Sequence, residues 1–279
     1  MAVSGDNGFD AGAYWQERVG AGSDLAVVGH RAMGPAYNGE IYARRIDALE
    51  SMLARHVRKP LHQLRVLDIG CGSGYYTRFW QSHGVHDYVG LDISARTIEH
   101  LSGLYPDYDF ICADAAEPLP DAFASVDRFD VITVFDVFYH IVDSRRVESA
   151  IANIAGMVAD DGLLFVMDQL CKRDYQVSKH VIYRARDAYF EIFERSSLTL
   201  KDKELLFHYL IPPITEIRVI DLSFAAVFKV FGLILRLNDR LAVWAASALR
   251  RLDEKMRARD TYVSNCEFLV FAVKGDSDV

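Results

Sequence analysis

Apolar residues recur in two rhythms along this chain of 279 residues. Before residue 60 the rhythm is helical. Ile46, Leu49, Leu53 and Val57 fall three or four residues apart, which predicts an amphipathic helix ending near Pro60. From 65 to 168 five short apolar runs appear, at 66–69, 88–91, 110–113, 131–135 and 163–167. Helical stretches such as 75–83, 95–104 and 145–158 separate most of them. Strands that are apolar on both faces and alternate with helices predict a parallel sheet covered on two sides. Asp160-Asp161-Gly162 is a turn signal ahead of the fifth run.

Beyond 168 the pattern changes. Residues 183–195 read as a helix, 198–206 as a sixth strand and 267–273 as a last strand. Between those two strands lie a Pro-Pro turn at 212–213 and a long helical region over about 220–258. The expected architecture is α/β, with a seven-strand, mostly parallel sheet and helices on both faces. A helical extension (1–60) precedes a main domain (61–279), which carries a helical insertion (207–264) before its last strand. Residues 1–12, rich in Gly, Asp and Ser, are expected to be mobile.

The net charge of -8 argues against a nucleic-acid partner, which would call for a basic face. Cys71, Cys112, Cys171 and Cys266 are far apart and form no CxxC pair, so neither a zinc site nor a disulfide framework is expected. A reducing cytoplasmic compartment is the plain reading. The N-terminus lacks the basic and apolar regions of a signal peptide, and no apolar run is long enough to span a bilayer. Cys71 and Cys112 read as small packing residues.

The chemistry begins at Asp68-Ile69-Gly70-Cys71-Gly72-Ser73-Gly74, which follows one predicted strand and opens one predicted helix. Glycines there let a backbone approach a ligand, and the helix start offers unsatisfied N–H groups. The dinucleotide pattern GxGxxG fails in both registers, because Tyr75 and Thr77 stand where its third glycine belongs. Asp68 would repel a pyrophosphate but suits a cationic ligand.

DxGxGxG at a strand end resembles the first motif of class I S-adenosylmethionine-dependent methyltransferases. Four further stretches are similar to the later motifs of that family in order: VGLDIS (89–94), CADAAEPLP (112–120), FDVITVFDVFYHIVD (129–143) and MVADDGLLFVMD (157–168). The resemblance implies a Rossmann-like methyltransferase fold and S-adenosylmethionine as cofactor. It places Asp68, Gly70, Gly72, Gly74, Asp92, Ile93, Asp114, Ala115 and Phe135 at the cofactor. By it Asp92 accepts hydrogen bonds from both ribose hydroxyls, and Asp114 meets the adenine amino group. Asp92 also reads as a plain helix N-cap before Ser94, and Asp114 as a solvated loop residue. Asp161 stands where many relatives carry glycine.

Methyl transfer from a sulfonium needs alignment first, and a base only where the acceptor must lose a proton. Ligands of an open parallel sheet sit beyond the carboxyl ends of its strands. That rule picks Asp136, Tyr139 and His140 after the fourth strand, Asp168 and Gln169 after the fifth, and His208 and Tyr209 after the sixth. His140 and His208 are the candidate proton acceptors, with a positioning role as the alternative for His140. Tyr14, Tyr139 and Tyr209 are candidate substrate contacts. No dedicated metal-ligand set is evident. Tyr14 and Trp15 either close the site or anchor a helix.

In the insertion, Phe224, Phe228 and Phe231 share one helical face, and the stretch that follows is amphipathic with a basic polar face. A substrate lid, a subunit interface and a membrane-surface helix compete for this region. A homo-oligomer would form through it or through the N-terminal helices. The expected reaction is O- or C-methylation of a small hydrophobic or aromatic molecule of specialised metabolism. The alternative is a fold of this type that binds the cofactor but catalyses cyclisation or isomerisation.

Overall fold

The computed structural model of the chain describes residues 11–19, 34–118, 120, 128–211, 213–235, 237–256 and 264–274. Most of the Gly/Asp/Ser-rich opening stretch lies outside them. Strand β1 (Arg65–Ile69) lies between β2 (Asp87–Asp92) and β4 (Phe129–Phe135), parallel to both. Parallel pairing continues from β2 to β3 (Asp109–Cys112) and from β4 to β5 (Val158–Cys171). β9 (Asn265–Val273) runs antiparallel to β5, and β8 (Leu198–Leu205) antiparallel to β9. The order β3-β2-β1-β4-β5-β9-β8 contains all seven expected strands.

Successive strand residues point to opposite faces, so each strand feeds two cores. Val66, Val131 and Phe165 face the cluster that holds Leu49, Met52 and Trp80. Leu67, Ile132 and Leu164 face the cluster that holds Ile151, Ile154 and Phe193. The first cluster lies under α2 (Gly34–His56) and α3 (Tyr75–Ser82), the second under α5 (Ser144–Ala155) and α6 (Arg186–Arg195). A short helix, α1 (Ala11–Val19), precedes them, and α4 (Ala95–Leu104) starts at Ser94, whose hydroxyl caps Thr97 N.

Three details differ from the sequence reading. The helix expected to begin at 183 begins at Arg186, and residues 181–185 form a strand. Strands β6 (Tyr175–Ser178) and β7 (Val181–Ala185) make a hairpin that pairs in parallel with the end of β5, so the sheet has nine strands among the described residues. The strand rhythm is hidden by Arg184, a buried cation that donates to the carbonyls of Phe138 (2.9 Å) and Ile141. Second, Asp160-Asp161-Gly162 is no turn but a bulge within β5, where the register against β4 shifts. A side chain at Gly162 would meet Phe129 O at 2.7 Å. Third, the long helical region is two helices, α7 (Arg218–Leu235) and α8 (Asp239–Met256), the second begun by Asn238, which accepts from Leu241 N (3.1 Å).

Helix α8 binds to α2 through Arg250, which donates to Glu40 (3.3 Å) and Asp47. Its Asp253 accepts the backbone N–H groups of His208, Tyr209 and Leu210 at 2.7–3.1 Å, fixing the chain as it leaves β8.

Candidate active site

Gly70, Gly72 and Gly74 all adopt positive φ, at 73°, 51° and 75°. The turn from β1 into α3 therefore depends on glycine. A side chain at Gly74 would also meet Leu101 Cδ2 at 2.6 Å, and one at Gly70 would run into Val137. The turn is braced from the next strand. Asp92, at the end of β2, accepts Gly72 N at 3.0 Å and Ser94 N at 2.9 Å. Burial raises the Asp92 carboxyl above its usual range, and these two N–H groups oppose that rise. Its oxygens keep further lone pairs for a diol.

Asp68 lies deeper than the glycines that follow it. It is buried between the central strands, where Thr133 donates to one oxygen (2.7 Å) and Tyr88 to the other (2.9 Å). Thr77 lies 2.8 Å from the Tyr88 hydroxyl and donates to it, because the Tyr88 proton is engaged by Asp68. Desolvation pushes the Asp68 carboxyl up to about 6. Asp68 thus ties β1, β2 and β4 to α3 beneath the glycine turn.

The loop after β3 is held by α5. Asp114 accepts Ala116 N (2.9 Å) on one oxygen and Arg146 (2.7 Å) on the other, and Arg146 also binds Glu117 (2.6 Å). Asn153 donates to the carbonyls of Ala115 (3.0 Å) and Glu117 (2.8 Å). Ala115 is buried, and Ile93 follows Asp92 half-buried, its carbonyl 3.7 Å from Cys112 Sγ. Cys71 is buried as expected, whereas Cys112 is exposed. Arg146 and Asn153 had no sequence signal, because polar positions on the outer side of a helix carry no periodicity of their own.

Beyond the carboxyl ends of β4 and β5 lies a second group of residues. Phe135 ends β4, with ring contacts to Tyr76 (4.7 Å) and Phe268 (5.6 Å). Asp136 follows with φ of 60°, a sparsely populated conformation for a residue with a side chain. Both its carboxylate oxygens are held by Arg45 of α2, and Arg45 also lies over the rings of Tyr42 (5.3 Å) and Phe207 (5.9 Å). Tyr139 packs edge-on to Tyr183 at 5.7 Å, and burial pushes its phenol well up. Asp168, buried at the end of β5, accepts Tyr189 OH (2.6 Å) and Gln169 N (2.7 Å). Burial raises Asp168 to about 7, while Tyr189, Arg184 and the Gln169 N–H hold it back.

His140 sits beside this group. Its Nδ1 lies 3.2 Å from the His180 carbonyl and therefore donates, which leaves the lone pair on Nε2. Trp15 of α1 meets the His140 ring edge-on at 4.7 Å, and Tyr14 OH lies 3.1 Å from His180 Nε2. Helix α1 therefore closes over His140 and the tip of the β6–β7 hairpin. The hairpin brings in Tyr183 and His180, and the strand rhythm that would have announced them was masked by Arg184.

The structure does not bring His208 and Tyr209 to this group. Phe207 turns toward Arg45, while the His208 ring is buried near Asp253 and Arg44, and burial lowers its pKa. Neither His208 ring nitrogen has a hydrogen-bond partner among the described residues. Tyr209 is 46% exposed.

A glycine turn braced by a carboxylate, acidic side chains around it and a buried aromatic group beyond two strand ends fit a cationic nucleoside ligand. The chain belongs to the methyltransferase domain family, whose model matches residues 37–202. Among curated proteins it is similar to the ubiquinone biosynthesis O-methyltransferase of Chelativorans sp., 37% identical over 114 residues, 39% of this chain and 41% of that protein. The enzyme of the same name from Sinorhizobium medicae is 36% identical over 115 residues, 39% of this chain and 42% of that one. The chain thus spans about two fifths of the length of the curated relatives it matches. Among solved structures it is similar to magnesium protoporphyrin IX methyltransferase from Synechocystis PCC 6803 (15% identity, TM-score 0.54, 76% of this chain, 95% of that chain). It is also similar to an S-adenosylmethionine-dependent methyltransferase from Mesorhizobium loti (15% identity, TM-score 0.52, 82% of this chain, 97% of that chain). At these identities the likeness concerns the fold.

Proposed function

We propose that the chain methylates a hydroxyl group of a small hydrophobic or aromatic molecule, with S-adenosylmethionine as methyl donor. The observation that carries this reading is the pairing of the Asp92-braced glycine turn with the Asp136, Tyr139 and His140 group one strand end away. When bound, S-adenosylmethionine supplies a methyl group already activated on a sulfonium sulfur. The glycine turn and Asp92 hold the nucleoside, and Asp114 receives its amino group. Phe135 borders the cofactor, and Tyr139 and Tyr183 enclose the acceptor in apolar surface and exclude water. His140, with its lone pair on Nε2, accepts the proton that the acceptor hydroxyl gives up. Arg45 fixes Asp136 and with it the loop that carries Tyr139 and His140. Tyr14 and Trp15 close this corner from α1.

The O-methyltransferase names of the curated relatives support oxygen as the accepting atom. Helices α7 and α8 lie outside the residues matched by the family model, which supports an acceptor of this chain's own, in specialised metabolism. Four unpaired cysteines support a reducing cytoplasmic setting. The test is release of S-adenosylhomocysteine on incubation with S-adenosylmethionine and a panel of phenols and aliphatic alcohols. Formation of methyl ether and S-adenosylhomocysteine in equal amounts is expected. Cofactor binding with turnover of an acceptor but no methyl transfer would overturn the reading.

A further inference from the structure

Helix α7 is apolar around its circumference, yet among the described residues only one side of it is buried. Phe228 packs edge-on to Tyr37 of α2 at 6.2 Å, and Gly232 and Leu235 are buried. On the other side Val219, Leu222, Val227, Val230 and Leu233 are each 55–74% exposed. Trp244 of α8 is 69% exposed. Exposed apolar surface of this extent marks an interaction site.

Charge identifies the occupant. Residues 217–256 carry seven Lys or Arg and four Asp or Glu, in a chain whose net charge is -8. Arg218 is exposed at the start of α7 and Lys229 in its middle, and Arg240 is exposed in the first turn of α8 beside the exposed Asp239. The acidic residue of α7, Asp221, is engaged by Thr215 through its N–H (2.8 Å) and hydroxyl (2.6 Å). A symmetric second copy on this face would bury two Lys229 ammonium groups against apolar side chains, with no exposed carboxylate on α7 to meet them. At a bilayer the Lys229 stem lies along the apolar layer while its ammonium reaches the headgroups. No described helix is long and apolar enough to cross a membrane, so the fitting arrangement lies in the interface plane.

We propose that α7 docks the protein onto the surface of an anionic phospholipid bilayer, with its exposed apolar side among the acyl chains and Arg218, Lys229 and Arg240 at the headgroups. The acidic remainder of the chain is repelled, which orients the molecule.

The experiment is co-sedimentation of the full chain with vesicles of phosphatidylcholine alone and of phosphatidylcholine mixed with phosphatidylglycerol. Binding to the mixed vesicles is expected to be more than about tenfold stronger than to the neutral ones, and to weaken with salt. The double variant V227D/L233D, altered only at exposed positions, is expected to lose at least about tenfold in vesicle binding while its thermal unfolding stays unchanged. Absence of binding to the mixed vesicles, or full binding by the double variant, would overturn the proposal. A dimer in vesicle-free solution that the double variant abolishes would assign the face to a second copy and overturn it as well.

Discussion

The ion pair between Arg45 and Asp136 joins α2 to the loop after β4, and its energetics follow from its burial. The Arg45 side chain is 7% exposed and the Asp136 side chain 18%. Removing one partner of such a pair leaves an uncompensated charge in a poorly solvated place, at a cost of about 3–5 kcal/mol. Arg45→Met keeps the aliphatic stem but loses the guanidinium that lies over the Tyr42 and Phe207 rings, so its cost is the stranded carboxylate plus those two cation–π contacts. Asp136→Asn removes that charge in turn, and asparagine tolerates the positive φ at this position. The double variant R45M/D136N is therefore expected to be more stable than R45M alone. The coupling between the two substitutions should be about 2 kcal/mol or more. Urea unfolding of the four proteins measures it, with equal m-values confirming that the midpoints report stability. Additive losses within about 0.5 kcal/mol would refute the assignment of the pair as an energetic link.

Two further outcomes follow from the site. His140→Gln is expected to lower kcat by about a hundredfold or more while cofactor affinity, read by calorimetry, stays unchanged; full turnover in the variant would reduce His140 to a positioning role. Asp168 carries a folded-state pKa of about 7 against an ordinary value of 3.8, so the folded protein holds a proton that the unfolded chain releases. Its contribution to stability therefore falls as pH rises from about 4 to about 7 and is level above that. Asp168→Asn, which still accepts from Tyr189, should flatten this part of the stability–pH curve; an unchanged slope in thermal unfolding would contradict the account.

The sheet was legible because its strands are apolar on both faces and its helices on one, and both rhythms survive in the letters. The glycine turn was legible because positive φ at Gly70 and Gly74 leaves few other residue choices. Asp92 accepts N–H groups from Gly72 and Ser94, so it braces the glycine turn and holds the chain as it enters α4. The hydroxyl partners of Asp68 were not legible, since a carboxylate at a strand end looks alike whether it faces a ligand or takes hydroxyls from Tyr88 and Thr133. His208 was drawn to the site by strand position, but alternation past β8 turns Phe207 inward and His208 toward α8. The Arg45–Asp136 pair joins residues 91 positions apart, and no local pattern announces such a contact. The β6–β7 hairpin was lost because Arg184, a buried arginine, reads as an exposed one.

The central claim is that the glycine turn and Asp92 form the S-adenosylmethionine site. Calorimetric titration of S-adenosylhomocysteine into the full chain and into Asp92→Asn tests it most directly, with thermal unfolding run alongside to show that both are folded. One molecule bound per chain is expected. The variant should bind about tenfold to a hundredfold more weakly, the loss of a charge-assisted hydrogen bond of about 1.5–3 kcal/mol. Equal affinity in the two proteins, or no binding to the unaltered chain, would contradict it.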